Sequence, residues 1–333
     1  MLKPFFYLDF SNVLFYCPIN SEEMKVKYQD IKREHRGLGE FISVLPQLKK
    51  GNWGKYEEFY KGIDYNSWEE FNSAIKELNK YLEDEEIISG AKPHFYRGQS
   101  CGEWKLKTTL ERYTDKIYTV EDYLELIQSA KLAFDSHFGE CYKTEDANNE
   151  EAKYNLPGTH PSYSLLTYFR HLGFPSPLLD WTRSLYVAAY FAFCDAIPKN
   201  DKSVAIYTYM EYFRGSKGID LKKFVSTLGG NISTHKRHYL QQAVYTYALS
   251  VNDSQLEGFK VDYDKVSYFN HYDAIKESMS GWGDQDVLVK HLIPTKEKDK
   301  VLKYLYSHNI NEYSLFHTEE SLMKTVAYEK IKR

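Results

Sequence analysis

The alternation of apolar and polar positions divides the chain into recognisable elements. At Ser67-Trp68-Glu69-Glu70 a hydroxyl is followed three residues later by a glutamate, and Phe71, Ala74, Ile75, Leu78 and Leu82 then fall on one face, which predicts a helix to about Glu85. Pro93 to Gly98 predicts a short strand leaving into a turn at Gly98. A second amphipathic helix is predicted from Thr119, with Asp122 in its cap and Tyr123, Ile127, Ala130, Phe134 and Phe138 turned inward. Ser164 to His171 reads as helical, and Ser184 to Ala196 is apolar almost all round, the pattern of a helix at the centre of a domain. Val204 to Met210, Val244 to Leu249 and Val287 to Pro294 predict strands. Thr295 is expected to cap a helix with Val301, Leu302 and Leu305 inward, and Glu319 to begin a last short helix.

These elements predict a mixed α/β (α+β) domain, a central sheet of short strands with a buried helix and surrounding amphipathic helices. Residues 63–333 are expected to form it, with 1–62 as an N-terminal extension: an aromatic strand or hairpin from Phe5 to Tyr16, a charged helix from near Ser21, and a loop at Gly51-Asn52-Trp53-Gly54. The polar stretch from Lys143 to Ser162, containing Pro157-Gly158, is expected to be a mobile loop able to cover a site.

Charge lends no support to a nucleic-acid or membrane partner, without excluding a nucleic-acid one. Lys and Arg total 43 against 47 Asp and Glu, and neither sign gathers into a tail suited to nucleic acid or an anionic membrane. No segment approaches the roughly 20 apolar residues that span a bilayer, and the run Phe5 to Phe15 lacks the leader and cleavage site of an export signal. A soluble cytoplasmic protein without a membrane partner is expected. Cys17, Cys101, Cys141 and Cys194 show no metal-ligand or disulfide spacing, so neither a structural metal nor a disulfide is expected.

Two segments carry candidate chemistry. In Tyr96-Arg97-Gly98-Gln99, an arginine at a strand end can present its fork of donors to phosphate or carboxylate while glycine admits a close backbone approach. The plainer alternative is an arginine paired to a buried aspartate, with the glycine serving the turn. In Pro175-Ser176-Pro177-Leu178-Leu179-Asp180-Trp181-Thr182-Arg183-Ser184, the residues Asp180, Thr182 and Ser184 suit a helix N-terminus able to meet an anion. Here too capping alone is the alternative, as core packing is for Trp181 and a hinge or core role for His171.

Together the segments resemble the FRG domain, a family named for its Phe/Tyr-Arg-Gly motif. The likeness continues through Gln99-Ser100, Trp104-Lys105-Leu106, His171-Leu172-Gly173, Pro175-Ser176, Leu178 to Thr182 and Ala188 to Ala192. Beyond these come Arg237 with Gln241-Gln242-Ala243-Val244-Tyr245 and the ending Ile310 to Phe316, so it covers about Ser67 to Ala327. The chain departs by Leu172 for Tyr, Ser176 for Thr and Ala243 for Gly.

The order of these motifs also resembles, more loosely, that of ADP-ribosyltransferase folds. That resemblance implies NAD or a related nucleotide as substrate, with Arg97, Asp180, Gln241 and Gln242 as catalytic candidates. Tyr96, Gly98, Gln99, His171, Trp181, Thr182, Ser184 and Arg237 would then bind the nucleotide. It further implies a toxin or antiviral defence effector, a protein or nucleic-acid target, and room for an antitoxin or sensor partner. Glutamine stands where those enzymes place a carboxylate, so catalysis aided by Asp180, a different nucleotide reaction, and binding of a nucleotide or nucleic acid without turnover all remain open, as does a protein-interaction module. Arg97, Asp180 and one of the two glutamines are expected to converge in one cleft.

Overall fold

The computed structural model describes residues 62–82, 94–139, 162–199, 202–211, 223–229, 232, 234–251, 256–257, 260–261, 266–280 and 286–332. The strands are β1 (Ile63–Asp64), β2 (Phe95–Gln99), β3 (Leu179–Thr182), β4 (Ser203–Glu211), β5 (Lys223–Leu228), β6 (Ala243–Ser250), β7 (Leu256–Glu257), β8 (Lys260–Val261), β9 (Ser267–Tyr268) and β10 (Asp286–Pro294). The helices are α1 (Trp68–Leu82), α2 (Thr109–Tyr113), α3 (Val120–Phe138), α4 (Tyr163–His171), α5 (Leu185–Phe193), α6 (Arg237–Leu240), α7 (His271–Ser280), α8 (Lys298–Ser307), α9 (Glu312–Phe316) and α10 (Glu319–Ala327).

One eight-stranded sheet runs β1-β10-β4-β2-β3-β6-β5, with β9 also paired to β6; β7 and β8 form a separate two-stranded ribbon. All its pairs are antiparallel except β1 with β10. The fold is the mixed α/β domain expected. Among the described residues every strand foreseen is present as β2, β4, β6 and β10, and six short ones, β1, β3, β5, β7, β8 and β9, are added to them. The central strands are apolar at consecutive positions because helices cover both faces: every residue of β4 from Val204 to Glu211 is buried.

Two cores result. Leu179, Trp181, Val244 and Ala248 share one with α1, α5 and α8, while Ala243, Tyr245, Tyr247 and Leu249 share the other with α3 and α4. This split follows the two-residue period of β3 and β6, which sends alternate side chains to opposite faces. Helix α5 is buried as its uniform apolarity requires, with Ala188, Ala189, Ala192 and Phe193 fully enclosed.

Several local expectations are corrected. Gly98 lies inside β2 rather than at a turn, and Asp180 and Thr182 are residues of β3, not helix caps. Only Ser184 caps α5, its hydroxyl accepting from Val187 N, and the helix stops at Phe193 instead of Ala196. Thr295 does not cap its helix: its hydroxyl ties Lys199 and Lys202 to the start of a 3₁₀ turn ahead of α8. The box at Ser67 is half formed. Glu70 N donates to Ser67 Oγ, but the Glu70 carboxylate reaches one residue further back, to the backbone and side chain of Asn66. Phe138 is 69% exposed, because α3 outruns the core its earlier turns cover. The predicted cap at Thr119 and the short helix expected from Glu319, by contrast, are present.

The N-terminal elements expected before residue 62, the stretch from Lys143 to Pro161 and the side chains of Leu78 and Leu82 lie outside the described residues. Cys101 and Cys194 are free thiols, and Cys17 and Cys141 also lie outside the description. Among the described residues no helix is long and apolar enough to cross a membrane.

Candidate functional site

The junction of β2, β3, β6 and the last turn of α4 brings two arginines and an aspartate together. Arg170, one residue before the end of α4, grips Asp180 on β3 in a fork: its Nε donates to Asp180 Oδ1 and its Nη2 to Oδ2. Its Nη1 donates to Thr109 Oγ1 at 2.8 Å. That hydroxyl in turn binds the Ser176 backbone, so α2, α4 and the proline turn before β3 meet at one guanidinium.

Arg97 enters from β2. Its Nη1 donates to the Asp180 backbone carbonyl at 2.7 Å and lies 4.0 Å from Oδ2. Its Nε is buried without a hydrogen-bond partner, so the protein leaves part of this fork unused. The two arginine side chains are only 12% and 7% exposed, whereas Asp180 keeps 41% of its side chain accessible. The carboxylate is therefore where this cluster opens to solvent.

The charges set each other's ionisation. Burial pulls Arg97 down to about 10, with Arg170 and Arg112 adding repulsion and Asp180 opposing it. Burial alone would raise Asp180, but the charge and hydrogen bonds of Arg170, with help from Arg97, outweigh it and hold the carboxyl below its usual range. Burial would likewise lower Arg170, and Asp180 reverses the direction. Two buried cations and Arg112 surround one anion, an excess of positive charge suited to an anionic ligand.

Tyr245 stands opposite Asp180 across the β3–β6 ladder. Its hydroxyl lies 2.7 Å from His171 Nε2 and 3.3 Å from His238 Nδ1, and the His238 ring is nearly parallel to the phenol. Arg237 Nη1 donates to the His171 carbonyl at 3.4 Å, and its guanidinium sits 5.2 Å from the Phe316 ring. Burial, the largest cause, pulls His171 down to about 4, with Arg170, His235 and His238 adding repulsion against Asp180.

Of the residues singled out in the sequence, Arg97, Asp180, His171 and Arg237 belong to this neighbourhood. Others turn out to be framework. Trp181 is buried, donates to Thr246 Oγ1 and stacks on Tyr209. Tyr96 is buried and donates to Asn79 Oδ1, and Gln99 donates to the Lys105 carbonyl from a buried position.

Gly98 serves packing: a Cβ there would lie 1.9 Å from Ala188 O and 2.6 Å from Ala192 N, so only glycine lets β2 rest against α5. Thr182 donates to the Gln241 carbonyl and Ser184 caps α5. Gln241 turns its amide to the Leu315 carbonyl on α9. Gln242 sits in a left-handed turn at φ 48° with an exposed side chain, and its carbonyl accepts from Arg183 N. The glutamines thus contact the end of β3 through their backbones rather than placing amides on Asp180.

Sequence reading offers Arg97 a buried aspartate as partner and overlooks Arg170, which Asp180 binds most closely. It also misses Thr109, although Thr108-Thr109-Leu110-Glu111 carries a capping-box spacing that forms in the structure and marks α2.

A mixed sheet flanked by helices, with an arginine–aspartate cluster where two short strands meet, defines an α/β domain. The FRG domain family matches residues 92–201, from just before β2 to just past α5, and the chain carries an FRG domain there. That span contains Arg97, Arg170, His171 and Asp180. No curated protein and no solved structure matches the chain.

Proposed function

We propose that the FRG domain binds a nucleotide through the Arg97–Arg170–Asp180 cluster and acts on NAD, cleaving the bond between nicotinamide and ribose. The observation that carries this reading is the division of labour between the arginines. Arg170 spends all three of its nitrogens on Asp180 and Thr109, while Arg97 has a single nitrogen, Nη1, hydrogen-bonded, and its Nε has no partner. Arg170 is the anchor, and Arg97 is the group with donors left for phosphate.

Asp180 supplies the second requirement. Held ionised at neutral pH, it serves as a fixed negative charge beside a ribose that gains positive character as nicotinamide leaves with the bonding electron pair. Water or a target nucleophile then takes the vacated carbon. This assigns to Asp180 the electrostatic role for which Gln241 and Gln242 lack the charge. The placement of the two glutamine side chains favours one other reading, binding without turnover.

Incubation with NAD distinguishes the readings. Nicotinamide release by the wild type and its loss in Arg97→Ala support hydrolysis or transfer. Binding of ADP-ribose without release supports a binding module. Absence of both overturns the site assignment. A cytoplasmic defence effector or toxin, with a protein or nucleic-acid target and an antitoxin or sensor partner, fits an NAD-consuming activity and stands only if release is seen.

A further inference from the structure

The hydrogen bonds around Tyr245 assign the tautomer of His171. A phenol carries one proton, and two imidazole nitrogens flank this one, His171 Nε2 at 2.7 Å and His238 Nδ1 at 3.3 Å. Hydroxyl donors make shorter hydrogen bonds than N–H donors, so the phenol proton is placed on the short side. Tyr245 then donates to His171 Nε2 and accepts from His238 Nδ1. With Nε2 acting as acceptor, the ring proton of His171 resides on Nδ1.

Nδ1 makes no hydrogen bond with any described residue, and His171 is half-buried rather than enclosed. The histidine comes directly after Arg170 on α4, and its phenol partner stands beside Asp180 across the strand pair. We infer that Tyr245 and His238 are positioning residues that hold His171 as an uncharged Nδ1–H donor, which binds a neutral oxygen of the nucleotide, a ribose hydroxyl, beside the phosphate site of Arg97.

The charged and titratable groups facing His171 are Asp180 from β3, Arg170 from its own helix, His235, His238 and Arg237 from the segment before β6, and Tyr245 from β6 itself. Cations outnumber the single carboxylate, and a protonated imidazole would add another. The neutral ring avoids that repulsion and keeps Nε2 free to accept. An uncharged donor next to a cation cluster separates two tasks: the arginine holds charge, and the histidine reads a polar group that carries none.

This inference rests on the nucleotide-binding reading above, and its test keeps the two apart. The full chain is labelled with nitrogen-15 at histidine and arginine, and the imidazole and guanidinium resonances are recorded without and with ADP-ribose; His171→Asn assigns the His171 signals. The expected spectrum shows His171 protonated on Nδ1 alone at neutral pH. Tyr245→Phe should give a mixture of tautomers, and ADP-ribose should move the Nδ1 signal in the wild type and bind several-fold more weakly to Tyr245→Phe.

A wild-type spectrum with the proton on Nε2 overturns the inference without any variant, so poor folding of Tyr245→Phe cannot shelter it. If ADP-ribose moves the Arg97 resonance and leaves His171 unmoved, the inference fails and the nucleotide site stands. If neither moves, both fail.

Discussion

Replacing Asp180 by Asn removes one charge and almost no volume, so its effect isolates the electrostatic part of the cluster. Arg170 would keep its place at 7% exposure, but its fork would face an amide that can accept only on one side and presents an N–H on the other. Arg97, at 12% exposure, would lose its nearest counter-charge as well. Removing one partner of a buried pair costs about 3–5 kcal/mol because the other charge is stranded. The carboxylate itself is 41% exposed, so water can enter and partly solvate the arginines, which puts the expected loss at the lower end, about 3 kcal/mol. For a domain of this size that corresponds to roughly 6–10 °C in Tm, measured by circular dichroism, with urea unfolding to check that the m-value is unchanged.

The sign of the pH dependence comes from the direction of the shift. Asp180 has a folded-state pKa below its unfolded value, so its contribution is complete above the unfolded carboxylate range and disappears as pH falls through the lower, folded value. The gap between wild type and Asp180→Asn should therefore be constant from pH 7 to about 5 and should close below about pH 4. With Arg170 already changed to Met, Asp180→Asn should cost less by about 2 kcal/mol, the coupling expected of groups in direct contact. A loss under about 1 kcal/mol, or no coupling to Arg170, would refute the view that this pair fastens α4 to β3.

Three further outcomes are expected. Arg97→Ala should abolish nicotinamide release while lowering stability by less than Asp180→Asn, since Arg97 makes one hydrogen bond where Arg170 makes three; parallel losses of activity and folding would make Arg97 structural. Gly98→Ala should destabilise by about 3 kcal/mol or more, or yield insoluble protein, because its methyl meets α5 backbone, which cannot rotate aside; a Tm within about 2 °C of wild type would contradict the contact. His171, with a folded pKa of about 4 against an ordinary 6.5, stays neutral while the unfolded chain takes up its proton. Stability should accordingly fall as pH drops from about 6.5 toward 4, and His171→Asn should flatten that slope; an unchanged slope would place His171 in a solvated setting.

Local physics made part of this fold legible. The uniform apolarity of Leu185 to Phe193 could only belong to a buried helix, and the hydroxyl at Thr119 announces a helix start that the structure contains. What depended on long-range contact was not readable. Asp180 has good capping chemistry, yet pairing with Tyr245 draws it into a strand, because ladder hydrogen bonds and burial of Leu179 and Trp181 outweigh a cap that Ser184 already provides. Lys223 to Leu228 looks unremarkable alone and becomes β5 only because β6 lies beside it.

The partner of Asp180 was hidden for the same reason. Nothing in a ten-residue separation identifies Arg170 until α4 folds back over β3. The role of Gly98 was misread as a turn because the atoms that forbid a side chain belong to a helix ninety residues later.

That glycine also sets the tolerance of the site. The contact beneath β2 is main chain against main chain, so the height of Arg97 above the sheet is gauged by atoms that every amino acid shares. Substitutions elsewhere in the core can change its volume or rotamers without altering this spacer, and the arginine keeps its aim while its surroundings drift. A designer wishing to move the guanidinium by a fraction of an ångström would have to shift α5 itself, whereas one wishing to preserve it could redraw most of the neighbouring side chains.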